Sequence, residues 1–263
     1  MLQAARHTAI VDAVQRERVV RVSDLAQALG VSAMTVRRDI ESLEDAGLVE
    51  RIHGGAKLPG DARTHEPGFE LKSTQRTDEK HAIAVEAASL VREDMAVGLS
   101  AGTTTYALAK ELVGGPRITV VTNSVRIADV FQAGSSMGPG RMGSTVILIG
   151  GERTPSDALV GPIATGALKQ LHLDILFLGV HGMDAKAGFT TPNMLEAETD
   201  RAFIGAARSV VVLADHSKWG TVGIASIAAL EDADELITDA KLGEEARRVL
   251  SEGVGKLRIA AAD

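Results

Sequence analysis

The sequence predicts an α/β protein: a small N-terminal winged helix-turn-helix domain, then a larger α/β domain with a mostly parallel sheet. Three observations predict it. Between Ser23 and Gly55, two short helical stretches flank a turn at Gly30 and lead into a small hairpin. From Asp78 onward, short and continuously apolar runs alternate with helical stretches, the pattern of strands buried on both faces. Between these regions, Pro59 to Thr77 is rich in Pro, Gly, Asp, Thr and Ser and has little periodicity, which marks a linker. The expected division is 1–58, a linker over 59–77, and a second domain over 78–263.

The elements follow in order. Ala4 to Arg16 reads as a helix, with Ile10, Val11 and Val14 facing its neighbours. Ser23 is placed to cap a helix over Asp24 to Leu29, and Gly30 suits the left-handed position that ends it. Ser32 caps the next helix, which Gly47 ends. On that helix Val36, Ile40 and Leu43 share one face at helical spacing. Arg38 then points almost directly away from the core, with Met34 beside it and Thr35 and Arg37 at the flanks. A helix with Arg, Thr and Met outward from its first turns has what a major-groove reader needs. The wing runs from Leu48 through His53, turns at Gly54-Gly55 and returns to about Leu58, carrying Arg51, His53 and Lys57.

In the second domain a helix over Asp78 to Val91 precedes a strand, Ala96 to Leu99. Helix Thr103 to Leu112, strand Ile118 to Val121 and helix Ser124 to Phe131 come next. Val146 to Ile149, Ile175 to Val180 and Val210 to Leu213 read as buried strands, separated by helices near Pro162 to Leu171 and Glu196 to Ala207. Ala133 to Ser144, rich in Gly and Ser, reads as a loop or insertion. Phe69 is the expected anchor of the linker on this domain.

Composition narrows the function classes. The chain has 263 residues, 45% of them apolar but only 3% aromatic, so its cores are mostly aliphatic. It has no cysteine, which excludes disulfides, thiolate catalysis and Cys-based metal sites and fits a reducing cytoplasm. The seven histidines lack HxxxH or HExxH spacing, so neither metal nor cofactor is expected. No signal segment is expected, and no apolar run is long enough to span a bilayer. Net charge is −7, yet residues 1–57 hold eight basic and eight acidic side chains, so the acidic excess belongs to the rest of the chain. A neutral head is a weak non-specific polyanion binder. Its affinity for DNA must come from local placement, from base contacts and from two heads acting together.

The strongest local signal in the second domain is the run Val97 to Ala109, VGLSAGTTTYALA. A strand enters Gly102, Thr103 and Thr104, which open a helix whose N–H groups and dipole favour an anion. Thr122-Asn123, Gly150-Gly151-Glu152, Gly179 to Asp184 and Asp215 to Gly220 also end or follow predicted strands, where open α/β sheets hold ligands. His181 falls near that crevice as a possible donor. Asp215, His216 and Ser217 are triad residue types, but adjacent residues on an extended chain cannot form a triad. Trp219 is expected at a domain or subunit interface. Glu231, Asp232, Asp234 and Glu235 are expected on a solvated face.

The stretch VSAMTVRRDIESLEDAGLVERIHGGA resembles the N-terminal domain of the DeoR family of bacterial transcriptional regulators. The region from about Glu79 to Asp239 resembles the sensor domain of that family, whose fold is similar to ribose-5-phosphate isomerase. The resemblance implies that Met34, Thr35, Arg37, Arg38, Arg51, His53 and Lys57 face double-stranded operator DNA. It implies a phosphorylated sugar or related metabolite as effector, with Gly102, Thr103 and Thr104 at its phosphate. Ser100, Asn123, Gly151, His181, Glu198 and Lys218 would complete the pocket. It also implies a homo-oligomer, dimer or tetramer, and a repressor rather than an enzyme. The alternatives are a sugar-phosphate isomerase with an appended helical domain and Glu198 as base, or a repressor whose sensor no longer binds a sugar phosphate. Two positions depart from the family's pattern. Ser100 replaces a common Asp, and Asp200 stands near a position usually basic.

Overall fold

The computed structural model describes residues 2–17, 19–45, 48–57, 68–135 and 144–261. The chain divides into two compact units, Met1–Pro67 and Gly68–Asp263.

The first unit contains α1 (Gln3–Glu17), β1 (Val19–Arg21), α2 (Val22–Leu29), α3 (Ala33–Asp45), β2 (Glu50–Ile52) and β3 (Gly55–Lys57). Ile10 and Val14 of α1, Leu25 of α2, and Val36, Ile40 and Leu43 of α3 are buried and form its core. Gly30 adopts the left-handed conformation, φ 65°, and its N–H closes α2 on the carbonyl of Ala26. The start of α2 differs from expectation. The helix begins at Val22, and Ser23 bonds the Asp24 carboxylate at 2.8 Å instead of capping. Ser32 does cap α3, accepting the Thr35 N–H at 3.1 Å.

The wing is a three-stranded antiparallel sheet in the order β1-β3-β2. β1 was not anticipated, because three residues carry too little pattern. The chain turns at His53-Gly54, where Gly54 has φ 79°. Gly55 already belongs to β3, and a Cβ there would lie 2.1 Å from the Val20 carbonyl oxygen. Its lack of a side chain lets β1 pair with the wing. Gly47 and Leu58 lie outside the described residues, as do residues 59–67 of the expected linker.

The second unit opens with α4 (Phe69–Ser73) and α5 (Thr77–Ala88), so the end of the expected linker is helical. Next come β4 (Ala96–Leu99), α6 (Thr103–Leu112), β5 (Thr119–Thr122), α7 (Val125–Ser135) and β6 (Thr145–Leu148). A short antiparallel pair follows, β7 (Glu152–Arg153) and β8 (Leu159–Val160), then α8 (Pro162–Leu168) and β9 (Ile175–Gly179). The chain continues through β10 (Gly182–Asp184), β11 (Gly188–Thr191), α9 (Met194–Ala206), β12 (Val210–Leu213) and a 3-10 turn, His216–Lys218. It ends with β13 (Ala225–Ala228), a 3-10 turn at Leu230–Asp232, β14 (Glu235–Asp239), α10 (Glu244–Gly253) and β15 (Leu257–Ala260). Within the loop expected over Ala133 to Ser144, α7 extends to Ser135, and residues 136–143 lie outside the described residues.

Seven parallel strands form the main sheet in the order β15-β14-β12-β9-β4-β5-β6. Alternate residues feed two cores. Leu176, Leu178, Val210, Val212 and Leu236 face one; Ile175, Phe177, Val211, Leu213 and Ile237 face the other. Ile83 of α5, Leu108 of α6 and Ile127 of α7 cover the second face, while Leu168 of α8, Phe203 of α9 and Leu250 of α10 cover the first. Burial on both sides is why these strands read as unbroken apolar runs. β10, β11 and β13 form a separate antiparallel sheet.

Two of the expected positions gain detail here. Trp219 is half-buried; it packs against the core of its own unit and bridges to Met183. The acidic cluster does lie on a solvated face, Glu231, Asp232 and Asp234 being exposed, and two of its members also make contacts: Asp234 accepts the Val210 N–H at 2.7 Å, and Glu235 is ion-paired with Arg258.

Candidate functional site

The first unit presents α3 and the wing as one surface. Met34 is 56% exposed, Arg37 and Arg38 are exposed, and Thr35 is half-buried through its contact with Ser32. Arg37 and Arg38 have no ion-pair partner among the described residues. A cleft between α3 and the wing is lined by Arg37, Glu44, Arg51, His53 and Gly54. Two wing cations are held by carboxylates: Arg51 pairs with Glu41 at 2.7 Å and Lys57 with Glu50 at 2.9 Å. Any contact of these two with a phosphate must compete with those pairs, both largely exposed and therefore weak. The Asp that ends the TVRRD run plays a different part. Asp39 is 3% exposed and accepts from Arg6 Nε at 2.8 Å, Arg6 Nη2 at 3.1 Å and His7 Nε2 at 3.2 Å. It ties α1 to α3 and sets the angle at which α3 is offered.

In the second unit a cavity opens beyond the carboxyl ends of β4 and β9. Strand order reverses there. β4, β5 and β6 run outward one way and β9, β12, β14 and β15 the other, so the cavity sits at the topological switch point. Gly102, Thr103 and Thr104 line it from the first turn of α6, and no side chain caps that helix. Its first N–H groups therefore point at whatever enters. Lys218 lines the cavity from the 3-10 turn after β12, and Lys72 from α4.

Behind these lysines lies a further layer of charge. Lys80 is 6% exposed; its Nζ donates to the carbonyls of Lys72 and, at 2.7 Å, Gln75. Burial above all, then the charge of Lys218, pushes its pKa down to about 7. Burial alone would raise the Asp215 carboxyl. Lys218, the Ser217 hydroxyl, Arg76 and Lys80 outweigh that and hold it below the usual range. One buried carboxylate thus balances several cations, leaving this side of the cavity electropositive.

α4 is well anchored. Phe69 is buried, meets Tyr106 edge-to-face at 5.2 Å and lies under the Arg126 guanidinium, as expected of an anchor. Glu70 is ion-paired with Arg126 at 2.6 Å.

The structure distributes the expected pocket residues unevenly. Gly102, Thr103, Thr104, Asn123, His181 and Lys218 all line the cavity. The Asn123 amide is already committed, accepting from the Ala101 N–H at 2.9 Å and donating to the Leu159 carbonyl at 3.1 Å, so it shapes the wall. Three residues are not part of the lining. Ser100 is wholly buried, and its Oγ accepts the Gly179 N–H at 2.9 Å, joining the ends of β4 and β9. Gly151 packs against β8, where a Cβ would lie 2.4 Å from the Val160 carbonyl oxygen. Glu198 is exposed on α9. In its place Glu196 and Asp200 line the cavity, one helical turn apart and on one face. Glu198, two residues on from Glu196, is turned about 200° round the helix. Its position also removes the base on which the isomerase alternative rested.

Glu196 accepts from Ser156 Oγ at 2.5 Å and Thr191 Oγ1 at 2.7 Å. Asp200 is 8% exposed. Burial, and then the charge of Glu196, raises its pKa well above the ordinary aspartate value. Lys72 and Glu196 were missed as site residues, and Asp200 was singled out only as a departure from the family's pattern. An inward phase for α9 was legible only from Ala197 and Phe203, which share the buried side with Asp200. Asp215, His216 and Ser217 form no triad: Asp215 takes the Ser217 N–H, while His216 Nδ1 lies 2.9 Å from Asp239.

Comparison with known proteins decides the family. The DeoR-like helix-turn-helix domain matches residues 6–61, and the DeoR C terminal sensor domain matches residues 75–240. The chain belongs to the DeoR family of transcriptional regulators. The regulator is 37% identical to the HTH-type transcriptional regulator GlpR of Haloferax volcanii, over 94% of each chain. It is 35% identical to the HTH-type transcriptional regulator FruR of Bacillus subtilis, over 92% of this chain and 93% of that one. It is 30% identical to the glycerol-3-phosphate regulon repressor of Escherichia coli, over 96% and 97%. Ribose 5-phosphate isomerase A of Methanocaldococcus jannaschii aligns with 55% of each chain, at 18% identity and a TM-score of 0.40. The regulator is thus a DNA-binding transcription factor with a small-molecule sensor domain, and its relatives are named as regulators rather than enzymes. No described helix is long and apolar enough to cross a membrane.

Proposed function

We propose that the regulator is a cytoplasmic repressor, acting as a homo-oligomer, which leaves its operator when a phosphorylated sugar or related metabolite enters the cavity of the second unit. The observation that carries this is the joint presence around one cavity of the uncapped α6 N-terminus, with Thr103 and Thr104, and of Lys72 and Lys218. A helix N-terminus and point cations converging on one cavity suit a phosphate monoester. The Escherichia coli relative, named a glycerol-3-phosphate regulon repressor, supports the same chemistry.

On this reading Met34, Thr35, Arg37 and Arg38 enter the major groove, while Arg51, His53 and Lys57 meet the flanking backbone. Two heads of a symmetric assembly read two half-sites. Release needs an effector that binds the low-affinity conformation better. Lys72 belongs to α4, the first element of the second unit. A phosphate that draws on Lys72 therefore acts on the segment through which the chain arrives from the head.

The test is operator release. Wild-type protein on its own promoter region is titrated with sugar phosphates in a mobility-shift assay. Lys218→Ala loses a charged hydrogen bond, about 1.5–3 kcal/mol, and should need roughly tenfold to hundredfold more effector. DNA affinity without effector should not change. Unchanged release by both Lys218→Ala and Thr103→Val would show that the phosphate does not sit here.

A further inference from the structure

The same cavity has a second character that a phosphate site does not need. α9 turns two carboxyl groups into it, Glu196 and Asp200. Glu196 is engaged by the hydroxyls of Ser156 and Thr191. Asp200 is more than nine-tenths buried, and no hydrogen bond reaches its carboxyl from the described residues. The charges that act on it are those of Glu196, one turn back, and Arg201, its neighbour. Arg201 donates to the Ser226 carbonyl at 2.5 Å and is exposed. Glu196 and Asp200 come from α9, whereas Lys72 comes from α4 and Lys218 from the 3-10 turn after β12, so the cavity takes its acidic and its cationic groups from different elements.

We propose that Asp200, beside Glu196, forms a hydroxyl-reading subsite that takes the neutral, hydroxylated part of the effector and excludes a second anionic group. The inference rests on the phosphorylated-effector reading above and names which phosphates are accepted. Its chemistry is direct. Burial beside a second carboxylate favours the protonated form of Asp200, and a protonated carboxyl offers one donor and one acceptor, the pair that a sugar hydroxyl complements. Burying it beneath a ligand that bonds to neither atom is costly. A phosphate or carboxylate placed there would face Glu196 at low dielectric, which selects against bisphosphates and phosphorylated sugar acids. Asp200 is thus a specificity residue, and a basic residue in its place would invert the choice.

The test is calorimetric titration of the full-length protein with inorganic phosphate, fructose 1-phosphate, fructose 6-phosphate and fructose 1,6-bisphosphate. Wild type should bind at least one monophosphate about tenfold or more tightly than the bisphosphate. Asp200→Lys should reverse that order, and Asp200→Asn, neutral and still hydrogen-bonding, should keep it. Thermal melting checks that each variant is folded. Equal binding of mono- and bisphosphate by wild type overturns the subsite. So does an unchanged ratio in Asp200→Lys while Lys218→Ala weakens every probe, an outcome that leaves the phosphate reading standing. Binding of none of the four probes overturns the phosphorylated-effector reading and this inference with it.

Discussion

Replacing Asp39 with alanine should strongly destabilise the DNA-binding head while leaving the second unit intact. Asp39 is buried and holds Arg6 through two hydrogen bonds and His7 through a third. Its loss strands a guanidinium and an imidazole whose side chains are only 13% and 16% exposed. Breaking a buried pair by removing one partner costs roughly 3–5 kcal/mol. The residual exposure of both partners places this case at the lower end, about 3 kcal/mol. A unit of about 60 residues holds roughly 3–9 kcal/mol in total, so between about a third and all of the margin is consumed. Asp39→Asn keeps the acceptor but loses the charge, and should cost about 1 kcal/mol.

The assay is amide hydrogen exchange over α1 and α3, read beside operator affinity. In Asp39→Ala both helices should lose protection and DNA binding should fall with them, while β4 and β9 stay protected. The pH dependence has a definite sign. Burial alone would raise the Asp39 carboxyl, but Arg6 and His7 hold it below its ordinary 3.8. Its contribution is therefore present above that value and is lost as pH falls through the lower folded pKa. Lost operator affinity with undisturbed exchange in α1 and α3 would refute the reasoning, since a buried residue would then be acting on DNA rather than on the fold.

Two further outcomes are expected. Arg38→Ala should lower specific operator affinity by about 1–3 kcal/mol with no change in melting, because Arg38 is exposed on α3; unchanged affinity in a mobility-shift assay would remove α3 as the reading helix. His216 is held by Asp239 at 2.9 Å, and that bond raises its pKa above 6.5. The stability it lends is full below 6.5 and is lost as pH rises past the raised value. Differential scanning calorimetry from about pH 6 to 8 should find that His216→Asn flattens this fall in the second unit.

Much of the architecture was legible because its causes are local. Helix caps such as Ser32, the left-handed Gly30, the apolar face of Val36, Ile40 and Leu43, and the unbroken apolar runs of β4, β9 and β12 each need only neighbouring residues to be read. The turn at Gly102-Thr103-Thr104 was legible for the same reason: a strand ends, small residues follow and a helix begins. What only the tertiary structure decided depends on partners distant in the chain. β1 exists as a strand because Val20 meets Ala56, which Gly55 permits by lacking a side chain. Ser100 and Gly151 turned out to brace strand ends, since the groups they serve, the Gly179 N–H and the Val160 backbone, arrive from other strands. Lys72 reached the cavity because α4 is pinned by Phe69 against Tyr106. The choice of Glu196 and Asp200 over Glu198 is the phase of one helix: composition put three carboxylates on α9, but its packing on the sheet through Ala197 and Phe203 chose which of them face the cavity.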